Sequence, residues 1–408
     1  MHCRNCGKVL HHTLIDLGFS PPSNNYLDKS QLSKPETTYP LIVKVCDSCF
    51  LVQTEDFNEA DELFSNNYAY FSSTSSSWLK HASIYTNMIV DRLNLDKKSK
   101  VIEIASNDGY LLKNFISKKI PCLGIEPTKS TADASRKLGI NVVEDFFGLE
   151  LSKKIVEDFG KADLICGNNV YAHVPEINDF TSGLKNLLKD DGTITLEFPH
   201  FLNLLKDKQF DTIYHEHYSY LSLGTVENIF NKFDLKIYDV EELNTHGGSL
   251  RIYGSHKHSN HSRSKNVTRI IDTETQYGLS SIKGYLNFQD VAFNIKLEFI
   301  NFLINCKKQD KIVVGYGAAA KGNTLINYAG IKSDLIPFVY DEAPSKQGKF
   351  LPMSHIPVIK PSKLEFLKPD YVIIFPWNIK EEVIEKYNYI KKWGGQFVTF
   401  IPNFKIHT

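Results

Sequence analysis

The sequence predicts an α/β protein in three parts: two Rossmann-like units, each with a mostly parallel sheet, preceded by a small cysteine-bearing unit. Three observations carry this. Strand and helix patterns alternate over residues 100–200 and again over 311–408, and such alternation builds parallel sheets covered by helices on both faces. Each run opens with a strand entering a tight turn, at 103–109 and at 315–322. Two C-x2-C pairs, Cys3/Cys6 and Cys46/Cys49, stand ahead of both runs.

A chain of 408 residues is long enough for two or three cores. Lys+Arg and Asp+Glu each number 47, so the net charge is zero. That balance argues against a strongly basic surface for nucleic acid or anionic membrane. No run of eighteen apolar residues is present, and the start Met1-His2-Cys3 lacks a signal-peptide apolar region. The expectation is a cytoplasmic protein with no membrane or nucleic-acid partner, monomeric or weakly dimeric.

Residues 1–60 form the first unit. Each C-x2-C pair can sit on a knuckle turn with both sulfurs facing one point, and two knuckles complete a tetrahedral S4 site. Pro21, Pro22, Pro35 and Pro40 punctuate a stretch too short for much core, so a structural Zn2+ held by Cys3, Cys6, Cys46 and Cys49 would supply stability. Four thiolates leave no open position for catalysis. Cys122, Cys166 and Cys306 stand alone in apolar contexts and read as buried small hydrophobes.

The second unit is 61–254. It begins with a polar, aromatic run containing Tyr68 and Tyr70, read as a loop or lid, and then a helix with Ile84, Met88, Ile89 and Leu93 at helical spacing. Strands are expected at 100–105, 122–126, 163–167 and 193–198, with a late hairpin at 235–240 and 249–253. The first turn, Glu103-Ile104-Ala105-Ser106-Asn107-Asp108-Gly109, has one glycine and so is no phosphate loop. A carboxylate with small residues at a strand end suits the cationic amino-acid part of S-adenosylmethionine. Glu126, ending the next strand, can accept ribose hydroxyls; Asp145 and Phe146 can flank an adenine; Asn168 completes the cofactor set. The late hairpin likewise fits a class I methyltransferase better than a dehydrogenase.

The third unit is 255–408. Residues 254–275, rich in His and Ser, read as a solvated linker, and 276–308 as one long amphipathic helix. The turn with Gly315 and Gly317 enters a helix at Lys321, with Asp341 ending the next strand. Backbone N–H groups there would face an anion, and Lys321 would add charge to a diphosphate. A nucleoside-diphosphate sugar and a nicotinamide dinucleotide both satisfy that physics, so an NAD(P)-dependent sugar oxidoreductase is a rival reading, as is a non-catalytic regulator.

Between the two cofactor-like turns lies Tyr214-His215-Glu216-His217-Tyr218-Ser219-Tyr220, three phenols, two imidazoles and a carboxylate in seven residues. Together with the cysteine pairs, 103–112, 168–174, 246–251 and 315–322, this stretch resembles the deoxysugar C-methyltransferases, which methylate C3 of nucleotide-activated 4-keto-6-deoxy sugars. The resemblance spans nearly the whole chain, down to Ala105 where many methyltransferases carry glycine. It implies an N-terminal zinc-binding unit, a central methyltransferase and a C-terminal α/β unit contacting the nucleotide sugar. It further implies His217 as the base, Tyr214 and Glu216 lining the sugar, His173 opposite, and Tyr68 or Tyr70 reaching in from the early loop. An O- or N-methyltransferase on a related sugar is the nearest alternative. The base, sugar configuration and stereochemistry at C3 are not given by these motifs.

Overall fold

A computed structural model describes residues 1–57 and 71–407; Tyr68 and Tyr70 lie outside the described residues. The N-terminal part contributes β1 (His12–Ser20), β2 (Tyr39–Val45) and β3 (Val52–Thr54). The middle contributes β4 (Val101–Ile104), β5 (Cys122–Ile125), β6 (Asn141–Val143), β7 (Ala162–Asn168), β8 (Leu188–Pro199), β9 (Ser219–Tyr220), β10 (Leu235–Leu243) and β11 (Ser249–His256). The last part contributes β12 (Val313–Tyr316), β13 (Val339–Tyr340), β14 (Val358–Ile359), β15 (Tyr371–Ile374), β16 (Gln396–Thr399) and β17 (Lys405–His407).

The central sheet has the order β10-β11-β8-β7-β4-β5-β6, parallel except for β11, which is antiparallel to both its neighbours. The C-terminal sheet has the order β14-β13-β12-β15-β16-β17, parallel except for the edge strand β17. In each, the chain winds outward from one strand and then returns to that strand's other side. The switch falls between β4 and β7 in one and between β12 and β15 in the other, the place beyond the carboxyl ends where sheets of this topology form a ligand crevice. All four residues of β4 and of β12 are buried, as strands covered on both faces must be.

The third sheet, β1-β2-β3-β9, is antiparallel. Its fourth strand comes from the central unit: Val52 pairs Tyr220 and Gln53 pairs Ser219, directly after His217. This small sheet has no core of its own. Leu14, Ile15, Val43 and Val52 join the apolar cluster under the helices Phe288–Lys308 and Ala320–Ala329. Cys3, Leu10, Cys46, Cys49 and Leu51 join the cluster beneath the central sheet. The N-terminal unit therefore wedges between the two α/β units.

Three local expectations are corrected. Part of the supposed linker is the helix Lys265–Tyr277, with Val267 and Ile270 buried against β10 and the helix Leu223–Lys232. Its apolar stripe was disguised by the buried Glu274, which accepts hydrogen bonds from the Leu223 and Gly224 amides (2.6 and 2.9 Å) and contacts His200 Nε2 at 2.7 Å. That carboxylate caps a helix start, where orphan N–H groups favour negative charge. The long helix begins only at Phe288, because backbone packs on backbone before it; a Cβ on Gly284 would meet the Gly278 carbonyl oxygen at 2.4 Å. Helix Ser76–Leu93 exists, but Ile84 is exposed and the buried stripe is Trp78, Ala82, Tyr85 and Ile89. Among the described residues, no helix is long and apolar enough to cross a membrane.

Candidate active site

The four paired cysteines meet. Their sulfurs all lie within 4.8 Å of one another, with Cys3–Cys49 at 3.4 Å and Cys6–Cys46 at 3.5 Å. The two knuckles have the same hydrogen bonds: Gly7 N–H to Cys3 C=O and Phe50 N–H to Cys46 C=O, then Cys3 N–H to Lys8 C=O and Cys46 N–H to Leu51 C=O. Gly7 (φ 74°) and Phe50 (φ 57°) hold the same left-handed position. Four convergent sulfurs in matched turns fit a tetrahedral Zn2+.

At the end of β4, the turn carries left-handed residues at alternate positions: Ala105 (φ 57°), Asn107 (φ 48°) and Gly109 (φ 79°). The conformation is that of a glycine-rich turn written with one glycine. Ser106 and Asp108 point inward and are buried. Glu103 is fully buried, and neither of its carboxylate oxygens makes a well-formed hydrogen bond among the described residues. Burial pushes its pKa well up; the nearby Tyr110 hydroxyl opposes this, and the charges of Glu126 and Asp108 add to it. Glu126 accepts the Asn107 and Thr128 amides, each at 2.9 Å, and burial raises its pKa despite them. Asp108 accepts the Ser73 amide with one oxygen, while its other oxygen and Asn168 Oδ1 have no hydrogen-bond partner among the described residues. Three buried carboxylates with no Lys or Arg paired to them among the described residues call for a cationic ligand. The ammonium and sulfonium of S-adenosylmethionine fit that need, and Glu103 and Asp108 would hold them. Asp145 and Phe146 lie exposed after β6, the Asp145 carboxylate accepting the Phe146 amide at 2.8 Å.

His217 is 8% exposed and sits where the three sheets meet. Its Nδ1 lies 2.8 Å from the Thr212 carbonyl oxygen. A carbonyl can only accept, so Nδ1 carries the proton and Nε2 keeps its lone pair. Burial drives the His217 pKa well below the usual value; His173, Lys321 and His246 push the same way, and the Thr212 carbonyl opposes them. Its ring lies 4.1 Å from that of Tyr214 and 4.7 Å from that of His173, centre to centre. Burial brings His173 to about 4. Buried Glu216 takes a 2.6 Å hydrogen bond from the Asn24 amide, and burial lifts its pKa to about 7.

The cluster is continuous with the acidic crevice. Trp78 stacks on Tyr110 (5.9 Å) and meets His246 edge-on (5.2 Å), while the Asn169 amide donates to His246 Nε2 (2.9 Å). Glu197, at the end of β8, is fully buried and contacts His81 (2.9 Å), Arg251 (3.0 Å) and Thr245 (2.9 Å). Burial works to raise its pKa, yet His81 and Arg251 hold it below the usual value.

On the other side stands the second crevice. Gly315 lies against the Phe375 ring, and Gly317 (φ 89°) has Pro376 so close that a Cβ would meet it at 2.4 Å. The glycines of this turn are thus required by packing. Both Asp341 oxygens are engaged by the chain's own amides, Ala318 (2.7 Å) and Ala343 (2.8 Å). Lys321 Nζ donates to Asn378 Oδ1 (2.8 Å) and lies 4.4 Å from the Trp377 ring centre. Burial lowers its pKa to about 8, against the pull of Asp211. Asp211, raised to about 7 by burial, accepts the Trp377 indole N–H at 2.8 Å with one oxygen, and the other has no hydrogen-bond partner among the described residues.

Sequence reading singled out the imidazole cluster and both turns but missed Asn24, Asp211, Trp377 and Asn378. These reach the site from segments far apart in the chain, with no local motif. Glu197 did carry a signal, a carboxylate inside an otherwise apolar strand.

Comparison with known proteins gives three family matches: "Putative zinc binding domain" over residues 3–64, "Methyltransferase domain" over 83–240, and "C-methyltransferase C-terminal domain" over 244–402. The chain is 31% identical over 400 residues to C-methyltransferase NovU of Streptomyces niveus, covering 98% of this chain and 95% of that protein. Solved structures with similarity include a SAM-dependent methyltransferase from Archaeoglobus fulgidus (14% identity, TM-score 0.36, 43% of this chain, 94% of that one). Another, from Clostridium acetobutylicum, has 12% identity and a TM-score of 0.35 over 43% of this chain and 91% of that one.

Proposed function

The chain belongs to the C-methyltransferase family, is S-adenosylmethionine-dependent, and from that premise we propose that it methylates C3 of a nucleoside-diphosphate 4-keto-6-deoxy sugar. The observation that carries this reading is the Nε2 lone pair of buried His217, whose ring packs on His173 and Tyr214 within range of the Lys321 charge. A carbon must lose a proton before it can accept a methyl group, and a 4-ketone makes the neighbouring C3–H acidic. When bound, S-adenosylmethionine supplies a methyl group on a sulfonium, an electrophile for that carbon.

His217 Nε2 takes the C3 proton, and the Thr212 carbonyl steadies the imidazolium through Nδ1–H. The same burial that keeps His217 neutral makes it a weaker base, so the product anion needs stabilising. Lys321 supplies a cation close enough to depress the His217 pKa, and the Tyr214 hydroxyl is assigned as a donor beside it, whereas the single N–H of neutral His173 is directed at the Glu216 carbonyl. Glu216, fixed by Asn24, binds a sugar hydroxyl. Tyr68 stays assigned to the sugar by resemblance, with Tyr70 the alternative. The Gly317 and Ala318 amides are already engaged by the Tyr340 carbonyl and Asp341, so the diphosphate is taken by the first-turn N–H groups of helix Ala320–Ala329. The base of the nucleotide is left open.

The test is incubation with isotopically labelled S-adenosylmethionine and a panel of 4-keto and fully reduced nucleotide sugars, with the methyl position read by NMR. The expected product carries a new carbon–carbon bond at C3, formed from the keto sugars alone. A methyl group on oxygen or nitrogen overturns the proposal.

A further inference from the structure

We infer that the first zinc knuckle positions the two imidazoles of the site through Arg4; this rests on the reading of His217 as the base. Arg4 stands between two of the clustered cysteines, Cys3 and Cys6. Its backbone is pinned from both sides, the N–H donating to Gln53 Oε1 (3.0 Å) and the C=O accepting from the Asn178 amide (3.0 Å). Its side chain is 6% exposed. Nη1 donates to the Pro175 carbonyl (2.9 Å) and Nη2 to the Thr54 carbonyl (2.9 Å). Both also reach Asp56, at 3.3 and 2.7 Å, and the guanidinium carbon lies 5.4 Å from the Tyr218 ring centre.

Those partners adjoin the catalytic segments. Thr54 Oγ1 donates to the His217 carbonyl (2.9 Å), and the Thr54 amide donates to the Tyr218 carbonyl (3.2 Å). Pro175 follows His173 by two residues. One planar guanidinium thus ties a metal-fixed turn to the two arms whose rings meet at 4.7 Å. Asp56 already neutralises its charge, so its contribution to the site is geometric. A lysine has no planar fork and cannot reach all these acceptors at once. The zinc-binding unit therefore does more than staple a small domain: it sets the distance between His217 and His173. Arg4 is a positioning residue, since it touches neither imidazole.

The test uses the zinc-loaded full chain with Arg4→Gln, Arg4→Lys and His217→Gln. Deuterium wash-in at the sugar's C3 without methyl donor is measured beside kcat, S-adenosylmethionine affinity, bound zinc and the histidine Cε1–H NMR resonances. For Arg4→Gln, wash-in and kcat are expected to fall together by roughly 10- to 100-fold, the scale of a small misplacement of reacting groups. Zinc content and S-adenosylmethionine affinity should hold within about twofold, and the resonance that vanishes in His217→Gln should shift. Arg4→Lys should recover only part of the rate. Wild-type wash-in and an unmoved resonance in Arg4→Gln overturn the inference. Should Arg4→Gln fail to fold, Thr54→Val removes the hydroxyl that holds the His217 carbonyl; the same two readouts apply, and unchanged values there also overturn it. Full wash-in in His217→Gln rejects the base assignment instead, with the Arg4 coupling still legible in any histidine resonance that shifts.

Discussion

The two crevices of this molecule are alike in topology and opposite in charge. Each lies at a switch point, between β4 and β7 or between β12 and β15, with a strand–turn–helix on one side. In the first, Glu103, Asp108 and Glu126 are buried, and no Lys or Arg among the described residues pairs with them. In the second, Asp341 is engaged by the Ala318 and Ala343 amides and lies 3.8 Å from Lys346, while Lys321 has no carboxylate in hydrogen-bond contact among the described residues and feels Asp211 only at longer range. Topology determines where a ligand goes; the sign of the uncompensated charge determines which ligand. A sulfonium-bearing amino acid suits one and a diphosphate the other. The imidazoles lie on the seam, contributed by neither turn.

That last point is the easiest to break. His217→Gln should lower methyl transfer by about 10²- to 10⁴-fold, the usual scale for a lost general base, while S-adenosylmethionine affinity stays unchanged. Single-turnover methyl transfer and calorimetry on the same preparation check it. Near wild-type turnover would mean that a group belonging to one of the crevices performs the proton transfer.

The charge contrast predicts a double dissociation of about 10- to 100-fold each way, from charge-assisted contacts of roughly 1.5–3 kcal/mol. Glu103→Gln should weaken S-adenosylmethionine binding and leave the KM for sugar nearly untouched. Lys321→Met should lower kcat with the sugar and leave S-adenosylmethionine binding untouched. Crossed effects would merge the two crevices into one site. The pKa directions sharpen this further. In the free protein Glu103 and Glu126 have raised pKa values, so they retain protons above the ordinary carboxylate range. Binding a cation expels those protons, and affinity should tighten as pH rises, with proton release seen by calorimetry in buffers of different ionisation enthalpy. The same burial makes the ligand-free fold's stability, full below the ordinary carboxylate pKa, decline as pH rises through the shifted values. Affinity that weakens with rising pH would exclude these carboxylates from cation binding.

On the other side of the contrast, Lys321 near 8 in the free protein places an alkaline limb on kcat/KM. The ammonium is present below that value and lost above it, so kcat/KM should fall several-fold between about pH 7.5 and 9. Lys321→Arg should remove the limb whatever its basal rate. On the proposed reading the acid limb of kcat/KM belongs to His217 and lies well below pH 6.5.

How much of this was legible beforehand depends on whether the signal was local. The cysteine pairs, both turns and the Tyr214–Tyr220 stretch are contiguous words, and chemistry could be read from them. The helix Lys265–Tyr277 was hidden because its buried face contains Glu274, a carboxylate that caps another helix. Asp211, Trp377 and Asn378 join Lys321 across 56 residues or more, and pairing at that range leaves no periodicity to find. The borrowed core of the N-terminal sheet was invisible for the same reason: its fourth strand lies after His217.

The first turn also hid its conformation, and there the comparison can be sharpened at its smallest scale. The second turn holds its left-handed position with Gly317, whereas the first does so with Ala105 and Asn107 as well as Gly109. A non-glycine residue in the left-handed region costs about 1–2 kcal/mol, asparagine less than alanine because its side chain bonds locally. Ala105→Gly removes that strain but loosens the unfolded chain, a partial offset of about 0.4–1 kcal/mol. The net expectation is stabilisation by about 0.5–1 kcal/mol in denaturant unfolding, with S-adenosylmethionine affinity within twofold. A loss of affinity without a gain in stability would mean that the methyl of Ala105 is itself a cofactor contact, and that the strain is held for binding.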